Sequence, residues 1–239
     1  MTAPTAAVFD LGGVLIDWDP RHLYRSLFDD EVAMEAFLRD VCSPEWNARQ
    51  DAGRTWEEAV TALVREHPDQ RDLIVAYRER WVEMLGGAIE PVVEIAAELR
   101  AAGVPLFALS NWSAETFPFA LERYPFLSWF DGIVISGRIG VAKPDPRIFA
   151  HLLATHGLTA EATVFIDDAE RNVEQARRLG FRALRYTDAD TLRAALRALG
   201  LPLPATAGLR ELAVTDTNDL APTGAGKLPA PGQGSRVTQ

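Results

Sequence analysis

The chain has 239 residues, room for one large domain or for a core carrying a smaller insertion. Hydrophobic residues at 48% and charged residues at 24% suit a soluble protein that buries its core without structural metals or disulfides. A net charge of -10 opposes long-range attraction of anions. It argues against nucleic acid as a partner and requires that any phosphate meet locally supplied positive charge.

The first apolar run, Ala6 to Phe9, predicts a buried strand. Asp10 interrupts it, no basic leader precedes it, and the stretch does not read as a signal peptide. The single cysteine, Cys42, permits no intramolecular disulfide, so the expected setting is reducing and cytoplasmic, and Cys42 itself reads as a small buried residue. No uninterrupted apolar run reaches membrane-spanning length, so no membrane association is expected.

From about residue 20 to 88 the pattern is helical, as in His22 to Phe28, Val32 to Leu38, Trp56 to Val64 and Leu73 to Met84. Asp19-Pro20 would open the first of these helices. Beyond them, Val92, Ile95, Ala96 and Leu99 share one helical face between Pro91 and a stop at Gly103. Pro105 to Leu109 and Gly132 to Ile135 read as strands. Asp145-Pro146, an apolar stripe and Gly157 spell a capped helix. Thr163 to Ile166 is a strand, Asn172 to Gly180 a helix, and Phe181 to Arg185 a last strand.

Strands alternating with helices predict an α/β fold: a Rossmann-like parallel sheet with helices on both faces. The core would comprise residues 1–19 and 89–204, with an inserted all-helical cap at 20–88. From Ala205 to residue 239 aromatics vanish and Gly, Pro, Thr and Ala dominate, which predicts a disordered tail. Its Gly224-Ala225-Gly226-Lys227 lacks the first Gly and the Ser or Thr of a phosphate-binding loop.

Ligands of such sheets bind beyond the C-terminal strand ends. Four reactive groups follow apolar runs there or open a helix: Asp10 before Gly12-Gly13, Ser110-Asn111, Lys143-Pro144-Asp145, and Asp167-Asp168. Each alone is as well explained by a cap or a turn. Together, three carboxylates on one edge would repel unless a hard cation lay between them, and Mg2+ accepts such ligands while bridging to phosphate. Lys143 would offset phosphoryl charge, Ser110 and backbone amides would bind its oxygens, and Asp10 would attack phosphorus.

In order and wording, with DLGGVLID, LSN, KPDPRIF and FIDDAERNV, these residues resemble the haloacid dehalogenase superfamily over about residues 6 to 200. They are most similar to its helically capped alpha-glucose-1-phosphatase-like phosphatases. The resemblance implies a Mg2+-dependent phosphatase acting on a small phosphorylated metabolite, a sugar phosphate, as monomer or homodimer. It implies Asp10 as nucleophile and metal ligand, Lys143 as catalytic cation, and Ser110 and Asn111 at the substrate. Gly12 would bind metal through its carbonyl, Asp168 directly, and Asp167 through a water or Lys143. Asn172 would either buttress this loop or lie on a helix surface.

One position departs from the pattern. Phosphatases of the superfamily usually carry a second Asp two residues after the nucleophile, where this chain has Gly12. The leaving group's proton must come from elsewhere, with Asp17 or Asp19 as substitutes, although Asp19 reads more simply as a helix cap. In the cap, Trp46, Asn47, Arg49, Gln50 and Gly53 form a polar-aromatic cluster. Trp46 would stack on a sugar and Arg49 bind an anionic group, or both would serve ordinary cap packing and solvation. Two alternatives remain at this level: a 2-haloacid dehalogenase in which Asp10 attacks carbon, and a non-catalytic phospholigand-binding protein suggested by Gly12.

Overall fold

Four consecutive apolar residues form β1 (Ala6–Phe9), all buried. β1 pairs in parallel with β4 (Leu106–Ser110) on one side and β6 (Thr163–Asp167) on the other. With β5 (Gly132–Ile135) and β7 (Arg182–Arg185) at the edges, the sheet runs β5-β4-β1-β6-β7, every pairing parallel. The five predicted strands are these five, shifted by at most one residue at an end. The computed structural model describes residues 3–204, and the expected tail, with its Gly224 to Lys227 segment, lies outside them.

The period of two along each strand divides the core. Ala7, Phe9, Leu106, Ala108, Val164 and Ile166 face one side, where α6 (Glu90–Ala101) and α11 (Ala189–Ala198) contribute Val92, Ile95, Leu192 and Leu196. Val8, Leu109 and Phe165 face the other, against Ile148 and Phe149 of α9 (Pro146–His156) and Val173 of α10 (Glu170–Arg178). Each Val, Leu, Ile or Phe among them contributes roughly 1.5–3 kcal/mol by leaving water, the alanines less. The caps follow expectation. The Asp145 carboxylate accepts from Arg147 N at 2.9 Å, and Gly157 ends α9 at φ 63.

Between β1 and α6 the chain forms α1 (Pro20–Tyr24), α2 (Glu31–Asp40), α3 (Pro44–Asp51), α4 (Trp56–Glu66) and α5 (Arg71–Glu79). Asp19, Asp30, Ser43 and Thr55 accept backbone N–H bonds at four of their N-termini. Such caps contribute about 1 kcal/mol each. Tyr24, Trp46, Trp56 and Tyr77 pack as one aromatic cluster inside this helical region. Cys42 is buried as expected, and burial pushes its thiol up to about 12.

Two strands went unread. β2 (Ile16–Trp18) and β3 (Leu85–Ala88) form an antiparallel pair where the chain leaves and re-enters the core. β3 therefore ends the stretch 20–88 with a strand, not a helix. Leu85-Gly86-Gly87-Ala88 has no branched or aromatic residue to signal one. Gly86 leaves room for the Asp17 side chain, since a Cβ there would lie 2.1 Å from Asp17 Oδ2 and displace it. The remaining short helices, α7 (Phe117–Arg123) and α8 (Ser136–Ile139), follow β4 and β5. Among the described residues no helix is long and apolar enough to cross a membrane.

Candidate active site

Strand order brings the predicted groups together. Asp10 follows the central strand β1, with Ser110 closing β4 on one side and Asp167 closing β6 on the other. The register holds to the end, because Asp10 N donates to Ile166 O at 2.8 Å.

Lys143 reaches into this group from the loop before α9. It is buried, and its Nζ lies 2.8 Å from Asp10 Oδ2, 2.7 Å from Asp167 Oδ2 and 2.7 Å from Leu109 O. Asn111 holds the loop by two bonds: its Nδ2 donates to Lys143 O at 3.0 Å, and its Oδ1 accepts from Lys143 N at 2.8 Å. Burial opposes the charge on Lys143, but Asp10 and Asp167 overrule it and hold its pKa above the usual value.

The carboxylates occupy different surroundings. Asp167 is fully buried and accepts from Lys143, from Ala169 N at 2.9 Å and from Asn172 Nδ2 at 2.9 and 3.1 Å. Of the two roles open to Asn172, the structure places it as the buttress. Asp10 accepts from Leu11 N at 2.7 Å. Burial pushes its carboxyl up to about 7; Lys143 pulls down, while Asp167 and then Asp168 push further up. Asp168 is exposed at the mouth, and partial enclosure together with the neighbouring Asp167 raises its pKa as well.

Oxygens of Asp10, Asp167 and Asp168 lie within 4.8 Å of one another. Two carboxyls pushed upward beside a third describe an acidic cluster short of positive charge, with hard oxygen donors suited to a divalent cation. Gly13 completes the cradle. At φ 74 its absent Cβ leaves space that would otherwise fall 2.7 Å from Asp168 Oδ2. Among the described residues the buried Ser110 hydroxyl has no hydrogen-bond partner, which leaves it free to donate to a phosphoryl oxygen.

The predicted cap residues separate. Asn47 and Asp51 of α3 line a cavity of about 50 Å³ together with Gly12, Asn111 and Trp112. Trp46, on the same helix, is buried in the aromatic cluster, with Trp56 and Tyr77 centroids at 5.6 and 5.2 Å. Arg49 is exposed on α3, and Gln50 is buried, donating to Trp46 O and accepting from Arg54. Asp17 pairs with His22 at 2.9 Å, and Asp19 caps α1. Asp51 was missed. Its signal is electrostatic: an acid in the last turn of a helix faces the negative end of the dipole, an ill-suited place unless another role holds it there.

A family model described as haloacid dehalogenase-like hydrolase matches residues 4–180. The sesquiterpene phosphatase astK of Aspergillus oryzae is 26% identical over 187 residues, 77% of this chain and 90% of that protein. A HAD-like family hydrolase of Porphyromonas gingivalis superposes with a TM-score of 0.62 at 26% identity, covering 84% of this chain and all of that one. The HAD family enzyme bt-2542 of Bacteroides thetaiotaomicron, solved with magnesium and inorganic phosphate, shares the fold at TM-score 0.58 and 22% identity, over 77% and 94% of the two chains. The matched family, the sheet topology and the acidic cluster around Asp10 agree: this chain belongs to the haloacid dehalogenase-like hydrolases and carries a phosphatase-like candidate metal site.

Proposed function

We propose that the protein is a Mg2+-dependent phosphatase that hydrolyses a small phosphoester, of which a sugar phosphate is the best candidate, through an aspartyl-phosphate on Asp10. One observation carries the reading: Lys143 bridges Asp10 and Asp167 at 2.8 and 2.7 Å beside an Asp168 that is left outside that pair. Asp10, Asp168 and the Gly12 carbonyl would hold the ion, with Asp167 fixed behind them by Lys143 and Asn172. The bound ion would neutralise phosphoryl charge and draw Asp10 into its ionised form. The magnesium and phosphate of the bt-2542 structure and the phosphatase name of astK support this chemistry.

The residues divide the work. The Asp10 carboxylate attacks phosphorus, while Lys143 and the Ser110 hydroxyl bind the phosphoryl oxygens. Asn111 holds the Lys143 loop and borders the cavity that Gly12 lines. In this reading residues 1–19 and 89–204 carry the chemistry, and the cap, 20–88, selects the substrate. Trp46 and Arg49 would act there through the shape and charge of α3, with Asn47 nearest the substrate.

The test is phosphate release from a panel of sugar phosphates, nucleotides and aryl phosphates with Mg2+, set against the same panel in excess EDTA and with Asp10→Asn. Turnover should vanish in both controls. An Asp10→Asn protein as active as the parent, or undiminished activity in EDTA, refutes the proposal.

A further inference from the structure

Breaking a phosphoester puts an electron pair on the leaving-group oxygen, which needs a proton unless that group is a weak base. The strand-end acids are otherwise engaged: Asp10 and Asp167 with Lys143, and Asp168 in the metal cradle. Gly12 offers no side chain, and a Cβ built there would meet nothing within 4 Å. Gly12 lines the cavity that Asn47 and Asp51 also line.

Asp51 lies on the cap but is fastened to the core. The Ser136 hydroxyl donates to Asp51 O and accepts from Trp112 N at 3.0 Å, tying the end of α3 to the residue after Asn111. Gly137 makes that approach possible, since a Cβ there would fall 2.5 Å from Ala114 N and 2.7 Å from Trp112 O. Gly53, at φ 102, turns the chain after α3 at ordinary contact distance from Gly140. Asn47 Nδ2 donates to Asp51 Oδ2 at 3.1 Å and orients the carboxyl. Three buried polar atoms on residues lining the same cavity, Asn47 Oδ1, Trp18 Nε1 and Trp112 Nε1, have no hydrogen-bond partner among the described residues. Such groups await a partner, and a hydroxylated leaving group supplies donors and acceptors together.

We propose that Asp51 is the acid that protonates the leaving-group oxygen, a catalytic residue delivered by the cap in the absence of a side chain at position 12. The inference rests on the phosphatase reading above. As Asp10 bonds to phosphorus, the P–O bond to the leaving group breaks, its electron pair stays on oxygen, and the Asp51 proton joins it to release an alcohol. In the second half, the Asp51 carboxylate takes a proton from water as the water oxygen bonds to phosphorus. The Asp10–phosphorus link then breaks and inorganic phosphate departs. Burial pushes the Asp51 carboxyl up to about 7, with a Ser113 backbone N–H working the other way, so neutral acid is present near pH 7.

The experiment compares wild type with Asp51→Asn, nearly the same in shape, on phenyl phosphate and 4-nitrophenyl phosphate added to the panel. The quantity read is kcat/KM, which reports steps up to the first irreversible bond cleavage. Loss of a general acid should cost roughly 10²–10⁴-fold on phenyl phosphate and less than about tenfold on 4-nitrophenyl phosphate, whose leaving group departs without a proton. Asp51→Glu should regain part of the phenyl activity. Equal losses on both esters, or none on phenyl phosphate, overturn the role of Asp51 and leave the phosphatase reading intact. Failure of wild type to turn over any ester of the panel removes that reading, and this one with it.

Discussion

Replacing Lys143 by Met tests the electrostatic frame of the site without reference to a substrate. Met keeps the apolar stem and deletes a buried ammonium that touches three oxygens at 2.7–2.8 Å. Two of them belong to carboxylates that then share one pocket with no counter-charge. Removing one partner of a buried ionic cluster costs about 3–5 kcal/mol. At about 2–4 °C per kcal/mol for a chain of this size, the melting temperature in EDTA should fall by roughly 6–20 °C. The pKa of Lys143 is held above its ordinary 10.5. A raised amine contributes its stability fully below the unfolded value and loses it only as pH rises through the folded one, so at pH 8 the wild-type contribution is intact. Mg2+ should restore part of the loss, because a divalent ion between Asp10 and Asp168 replaces some of the missing charge. The assay is thermal unfolding by circular dichroism at pH 8, in EDTA and in saturating Mg2+. A variant that melts within about 2 °C of wild type in EDTA refutes the claim that this amine holds the acidic cluster together.

Two further outcomes follow from the same geometry. Gly13→Ala forces a Cβ at φ 74 to within 2.7 Å of Asp168 Oδ2, so it should displace that carboxylate and weaken Mg2+ affinity in a calorimetric titration; unchanged affinity would separate Gly13 from the cradle. Asp51→Asn should be more stable than wild type above neutrality, by an amount that grows from about pH 4 to about pH 7. Across that window the unfolded carboxyl, with an ordinary value of 3.8, has ionised while the folded one, raised to about 7, still holds its proton, so wild-type stability falls as pH rises. Denaturant unfolding at several pH values reads this directly, and a stability difference that does not vary with pH contradicts a strained Asp51 carboxyl.

Much of the site was legible in the chain because its residues sit next to strong local signals. Asp10, Ser110 and Asp167 each adjoin a short apolar run, and such runs become parallel strands whose C-terminal ends share one edge. Lys143 was legible through the Asp145-Pro146 helix start that follows it. The strand β3 was not, because Leu85-Gly86-Gly87-Ala88 is extended through its pairing with Ile16, Asp17 and Trp18 of β2 and carries no strand-forming side chains of its own.

The amino-acid order alone determined the α/β alternation, the helical insertion and the set of strand-end carboxylates, since these follow from periodicity and from chain neighbours. Tertiary structure alone decided which face of α3 meets the strand-end loops, packing Trp46 into the cap and bringing Asn47 and Asp51 to the cavity that Gly12 lines. It also decided the ionisation of Asp10 and the partnership of Lys143 with residues 24 and more positions away. The physical reason is range. Hydrophobic periodicity acts over a few residues, whereas desolvation and charge pairing depend on what distant segments bring to the same few ångströms.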